Sequence, residues 1–356
     1  MKVHQSTRRE FIRGAAAAGA GAVLIAGVRP GAADAAGQLV VTDPGGEWEA
    51  AASKAYYLPF QQASGTHVTF GARASLAIGQ LKAMVESHNV QWDVTDLSDY
   101  LISRAGKAGL LEPIDYSSMD TAGMLKDAMM KYGVGNDAYA TIMAYSTKKW
   151  APGKGPQSWA DFWDVKRFPG RRSLSGIGYG PMEFALLADG VPKDKLYPLD
   201  VKRALNKMDE IKPHINVWWT TGAQQAQLML DGEVDLIEGW NGRLYAGITK
   251  GAPFHMEWSQ GSYEWEGWVI PKGAANAKEA QKFIGYAMNA KQQAIYASNI
   301  AYGPSNQKAF SYIPKDRAAL LPTYGPNLEK LFRVDADWLA DHLDELTAAW
   351  TQWRAG

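Results

Sequence analysis

At 356 residues the chain is too long for one ordinary core and suits two lobes. Its 46% hydrophobic and 21% charged content is that of a soluble globular protein, and its 37 basic and 37 acidic side chains cancel, so no net basic field draws nucleic acid or anionic lipid. Cysteine is absent, which excludes disulfides, thiolate metal sites, cysteine nucleophiles and a lipidated N-terminal cysteine.

In chain order, Arg8 and Arg9 come first, followed by Phe11 and then a small, apolar run over 14–28. Paired arginines before a weakly hydrophobic stretch form a twin-arginine export signal. The run is roughly 15 residues, short of the roughly 20 that a spanning helix needs. Ala33 and Ala35 offer the small residues of a cleavage site, so residues 1–35 read as the signal. The exported chain is then expected to begin near Ala36, in the periplasm.

An apolar run over 39–41 predicts a buried strand that ends in the turn Asp43-Pro44-Gly45-Gly46. A helix follows over 48–62, closed by Gly65, with Pro59 expected to kink or shorten it. A strand over 68–70, a helix over 76–85 and a strand beginning at Trp92 complete a parallel α/β pattern. In such sheets ligands sit beyond the carboxyl ends of the strands. A strand over 139–145 runs into Pro152, Gly153, Gly155 and Pro156, which marks a first crossing between lobes. Beyond it lie helices over 159–163, 182–188, 201–211 and 223–230, and strands over 217–219 and 234–237. The segment 268–271 reads as a strand returning to the first lobe, followed by a helix over 278–288. From about Pro326, Trp338, Leu339, His342, Leu343, Leu346, Trp350 and Trp353 recur at i, i+3 and i+4, the stripe of an amphipathic terminal helix.

Chemistry-bearing motifs are sparse. No metalloprotease helix, Walker loop or nucleophile elbow occurs. The six histidines (His4, His67, His88, His214, His255, His342) are scattered singly. Tyr56 and Tyr57 raise the possibility of a ferric-iron site, but their helix in the first lobe favours a core role. No catalytic residue, metal ligand or cofactor is expected. Aromatics beside carboxylates stand out instead: Trp240-Asn241-Gly242 after a strand, and the segment 263–268, which carries Glu264 and Glu266 among three aromatic residues and reads as a turn. An indole face and a carboxylate together suit an organic cation, although inter-lobe packing accounts for the tryptophans equally well. The glycine-rich stretch 176–180, before a helix, offers backbone N–H groups that favour an anion.

Ala223-Gln224-Gln225, Gly232-Glu233-Val234, Trp240-Asn241-Gly242-Arg243, Gly251-Ala252-Pro253, Trp268-Val269-Ile270-Pro271 and Tyr302-Gly303-Pro304 follow one another in an order that resembles the spermidine/putrescine-binding proteins of ATP-driven importers. Ser158 to Trp163, followed by Pro169-Gly170, adds to the likeness. The resemblance implies a two-lobe type II α/β binding-protein fold with a two-strand hinge. Lobe 1 would comprise 36–145 plus 267–308, and lobe 2 would comprise 146–266 plus 309–356. It implies a monomeric periplasmic receptor, not an enzyme, that passes a small amine-type solute to a membrane permease and its ATPase, with no nucleic-acid partner. Carried over by position, Trp240 packs on the solute, Glu266 stands where the family has an ammonium-pairing aspartate, Ser98 and Tyr100 follow the third strand, and Trp48 or Glu47 forms an aromatic wall. Tyr179 and Asn241 complete the expected ligand-binding set. The family's second acidic pair falls where this chain has its 176–180 glycines, which opens the solute to a monoamine or zwitterion. A ferric-ion receptor of the same fold and an exported enzyme on this scaffold are the alternatives.

Overall fold

The computed structural model describes residues 37–73 and 77–356. The signal expected over 1–35 lies outside the described residues. The chain opens with β1 (Gln38–Asp43), a helix beginning as α1 (Gly46–Ala52), β2 (His67–Ala72), α2 (Ala77–Glu86), β3 (Val94–Ser98) and α3 (Asp99–Lys107). The helix expected over 48–62 continues to Ser64, but through a π-helical turn at Ser53–Tyr57. Pro59 enters at the first turn of the final α segment. There the wider turn absorbs its missing N–H, so the helix is re-registered without being cut short. Gly65, at φ 74°, ends it in the left-handed cap that the sequence announces.

Next come β4 (Gly133–Ser146), β5 (Arg172–Ser175), α4 (Met182–Ala188), α5 (Val201–Ile211), β6 (Ile215–Trp219), α6 (Gly222–Leu230), β7 (Leu236–Trp240), α7 (Asn241–Thr249) and β8 (Phe254–Pro271). Then α8 (Ala277–Ala287), α9 (Ala290–Asn299) and the terminal α10 (Ala336–Ala355) close the chain. Asp335 starts α10 by accepting from the Trp338 N–H at 3.0 Å, about ten residues later than the stripe from Pro326 suggests.

Among the described residues the strands form one twelve-stranded sheet whose main path runs β2-β1-β3-β8-β4-β7-β5-β6. β1 lies parallel to both β2 and β3, and β5 lies parallel to both β7 and β6. Between these two parallel groups run the long antiparallel strands β8 and β4. Each serves one group with one stretch and the other group with the rest. On β8, Glu266 to Val269 pair with β3, while on β4, Thr141 to Tyr145 pair with β7. The exchange of partners on β4 therefore falls between Asp137 and Thr141.

The segment 263–268 is a correction. It is no turn but part of the 18-residue β8. Strand alternation separates its residues: Tyr263 Oη and Trp265 Nε1 both donate to Asp127, at 2.9 and 3.1 Å, while Glu264 and Glu266 take the other face. Trp268, on the same face as Glu266, enters the first core, and the register shift beside it leaves the extra residue, Asn136, on β4.

Two main cores flank the sheet. One gathers Leu39, Val41, Trp48, Tyr56, Tyr57, Trp268 and Phe283. The other gathers Trp159, Leu174, Met182, Leu236, Leu339 and Trp350. Aromatic edges lock the first core: Trp48 meets Trp268 edge-on at 5.2 Å and Tyr296 at 5.6 Å. α10 buries Leu339, Leu346 and Trp350 in the second core and pairs its acidic face with α3, Arg104 to Asp344 at 2.8 Å and Lys107 to Asp341 at 2.7 Å.

Candidate functional site

A cavity of about 940 Å3 opens at the carboxyl ends of β1, β3 and β7, where a parallel sheet presents ligand contacts. Each wall has a local cause. After β1, Asp43 Oδ1 accepts the Gly45 N–H at 2.7 Å and Oδ2 accepts Tyr57 Oη at 2.6 Å. This fixes the two left-handed glycines, Gly45 and Gly46, from which Glu47 and Trp48 rise. Ser98 ends β3 and Tyr100 follows it. Glu266 lies directly opposite Ser98 in the antiparallel ladder, and Ser98 Oγ donates to its Oε1 at 2.7 Å. At the end of β7 the fully buried Gln225 holds the Trp240 N–H at 2.9 Å, and Arg243 projects from the first turn of α7. Tyr302 completes the wall, its ring so close to Gly242 that a Cβ there would stand 2.9 Å from it.

Of the expected site residues, Glu47, Trp48, Ser98, Tyr100, Trp240 and Glu266 therefore line one cavity. Asn241 does not. It is fully buried, with Oδ1 accepting the Ala140 N–H at 3.0 Å and Nδ2 donating to the Ala301 carbonyl at 2.6 Å, so it pins the loop that carries Tyr302. Tyr179 faces a separate chamber and donates to Glu183 at 2.9 Å. Tyr56 and Tyr57 sit in the first core, as the helix placement favoured. The anion-favouring reading of 176–180 meets an acidic surrounding: the Ser175 N–H is given to Glu238, and Glu183 occupies the first turn of α4. Gly180 has a packing reason instead, since its φ is 67° and a Cβ would lie 2.5 Å from the Trp350 ring.

The electrostatics on the β8 side favour positive charge. Burial pushes the Glu266 carboxyl up, and neighbouring Asp96 pushes it further, while Ser98 pulls it down. Asp96 is itself raised to about 6 by burial against the pull of Arg73, and Asp137, opposite Glu266 in β4, to about 7 by burial. Carboxyls held this high ionise readily when a cation arrives. On the opposite wall stands Arg243, missed by sequence reasoning although it ends the Trp240–Arg243 motif. It is exposed to the cavity, and among the described residues no carboxylate pairs with it. Its signal was a charge in the first helical turn beyond a strand's carboxyl end. The cavity thus joins a proton-accepting floor, aromatic walls and an open guanidinium. Among the described residues no group of histidine and acidic side chains could hold a metal ion.

Residues 55–322 match the bacterial extracellular solute-binding proteins. The chain belongs to this family. It is 36% identical over 323 residues to the gamma-aminobutyric acid-binding protein of Pseudomonas aeruginosa, covering 89% of this chain and 91% of that one. It is 26% identical over 269 residues to spermidine/putrescine-binding periplasmic protein 1 of Haemophilus influenzae, covering 72% and 73%. Among solved structures, the Atu4243–GABA receptor matches with a TM-score of 0.81 at 35% identity, covering 89% of this chain and 97% of that chain. As a solute-binding protein of the type II fold, the chain is the substrate-binding component of an ABC importer and not an enzyme. Its relatives include periplasmic proteins. The family resemblance holds, and the polyamine-type relative is the more distant of the two.

Proposed function

We propose that this solute-binding protein captures a small zwitterionic amino compound of the 4-aminobutanoate class and hands it to its permease. The observation that carries the reading is Arg243, a guanidinium that no carboxylate among the described residues pairs with, sharing one cavity with Glu266. A guanidinium takes a carboxylate in a planar fork, and a buried carboxyl bonded to Ser98 takes an ammonium. A polyamine has no use for Arg243, which would repel one of its ends. The 36%-identical relative that binds gamma-aminobutyric acid supports the same choice.

Calorimetry with 4-aminobutanoate and putrescine tests it. The zwitterion is expected to bind and Arg243→Ala to weaken it by roughly 10-fold or more, from about 1.5–3 kcal/mol for a charge-assisted bond. Tight putrescine binding unaffected by Arg243→Ala would restore the polyamine reading.

Capture closes two lobes, 36–145 plus 267–308 against 146–266 plus 309–356, about the stretches where β4 and β8 exchange partners. Support comes from the strand pairing, which changes near Ala138–Thr141 and Ser262–Glu266. A radius of gyration that does not shrink with ligand in solution scattering would contradict closure. The precursor travels by the twin-arginine route, supported by Arg8 and Arg9. Normal export after both are changed to Lys would exclude it.

A further inference from the structure

Behind Tyr100, Tyr139 and Trp240, which line the main cavity, lies a second chamber of about 180 Å3 that shares these three walls. That is about six times a water's share of liquid volume, which is about 30 Å3. Three carboxylic side chains face it from three elements: Glu183 of α4, Glu238 of β7 and Glu264 of β8. They are 5%, 3% and 8% exposed, and among the described residues no lysine, arginine or histidine lines the chamber. Two more polar groups point to a ligand: the side chains of Thr141 and Ser262, in residues 8% and 5% exposed, line it, and their hydroxyls make no hydrogen bond among the described residues. Hydroxyls buried to that degree ordinarily find partners. Nothing in the solute-binding reading uses any of these five residues.

We infer that this chamber is a second cation subsite, which takes an ammonium or guanidinium group carried beyond the zwitterionic head of the solute. The inference rests on the zwitterion reading and extends it, from 4-aminobutanoate-like solutes to basic amino acids with a second positive group. The three carboxylic groups supply charge, and Thr141 and Ser262 supply acceptors for the remaining N–H bonds. The rings of Tyr100, Tyr139 and Trp240 bracket the apolar stem between the two charged groups. Lacking a cation, the chamber suppresses its own charge. Burial raises Glu238 and Glu264 to about 8, with Asp99 adding to Glu264 and Arg333 and Tyr139 opposing. Glu183 is raised by burial against hydrogen bonds from Tyr179 and Tyr197. The entering cation ionises them and releases protons.

The test is calorimetry on the full chain with ornithine, lysine and 4-aminobutanoate. Ornithine or lysine is expected to bind the wild type, and the Glu238→Gln/Glu264→Gln double variant to weaken that binding at least 10-fold. The same variant should leave 4-aminobutanoate within about 3-fold. Equal loss for both ligand classes, no loss, or no binding of either diamino acid overturns the subsite. Should the double variant not fold, the wild type decides in two buffers of different ionisation heat at pH 7. More protons must be released with the diamino acid than with 4-aminobutanoate, and equal release overturns the subsite. Arg243→Ala separates the two ideas: if it leaves diamino-acid binding intact, the zwitterion reading fails, whatever the chamber variants do.

Discussion

In the proposed reading, Trp240 and Glu266 would divide the work of holding an ammonium. Trp240 is half-buried and held edge-on by Trp219 at 5.3 Å, so its face is pre-positioned. Trp240→Ala loses stacking and cation–π attraction, about 0.5–2 kcal/mol, with little dependence on salt. Glu266→Gln keeps the shape and loses the charge, and is expected to cost about 10-fold or more for ligands with an ammonium and little for those without. Calorimetry across ionic strengths separates the two effects. The placement of Trp48, Ser98, Tyr100 and Trp240 on one cavity was legible because each lies at or just beyond a strand's carboxyl end, a position that sequence marks, whereas Glu266 lies inside β8 and was reached through the family resemblance. Asn241 and Tyr179 occupy equally suggestive positions, but their polar atoms are consumed by Ala140, Ala301 and Glu183. Side-chain bonds between distant segments are what a single sequence conceals.

At the scale of elements, β8 was the least legible. Its carboxylates and glycines resemble a turn, and its helix-free length of 18 residues is far beyond a mean strand of about 5–6. The strand is possible because every second residue finds a built partner: Asp127 on one face, Ser98 and the chamber on the other. The parallel pattern from β1 to β3 was readable, since alternating helices and apolar strands need no long-range information. The glycine stretch before α4 shows the converse case, with its composition visible and its reason remote. Gly180→Ala would force a Cβ against the Trp350 ring from a left-handed backbone. We expect a loss of about 1–3 kcal/mol in urea unfolding. An equally large change in Gly178→Ala, which has open space around its Cβ position, would point to backbone strain alone.

At the scale of the whole molecule, the buried carboxyls become a liability once they ionise. Glu238 and Glu264 near 8 and Asp137 near 7 lie well above their ordinary values. The stability they lend is full below their unfolded values, around pH 4, and drains away as pH rises through about 7 to 8. The ligand-free protein should therefore melt at progressively lower temperature between pH 5 and pH 9, and a bound cationic ligand should flatten that slope. A flat ligand-free profile would contradict it. The terminal helix α10 has a different kind of consequence. Its ion pairs to α3 are surface-exposed, each contributing about 0–1 kcal/mol, so they cannot clamp the molecule. Yet the helix shares its apolar side with the opposite core, and β4 and β8 run unbroken through both sheet groups. Neither half owns a complete set of strands or a self-sufficient cover. A calorimetric scan should thus show one endotherm in place of two, and either half made alone should be a chain without a fold, so that motion in the native protein is a bending of one cooperative unit.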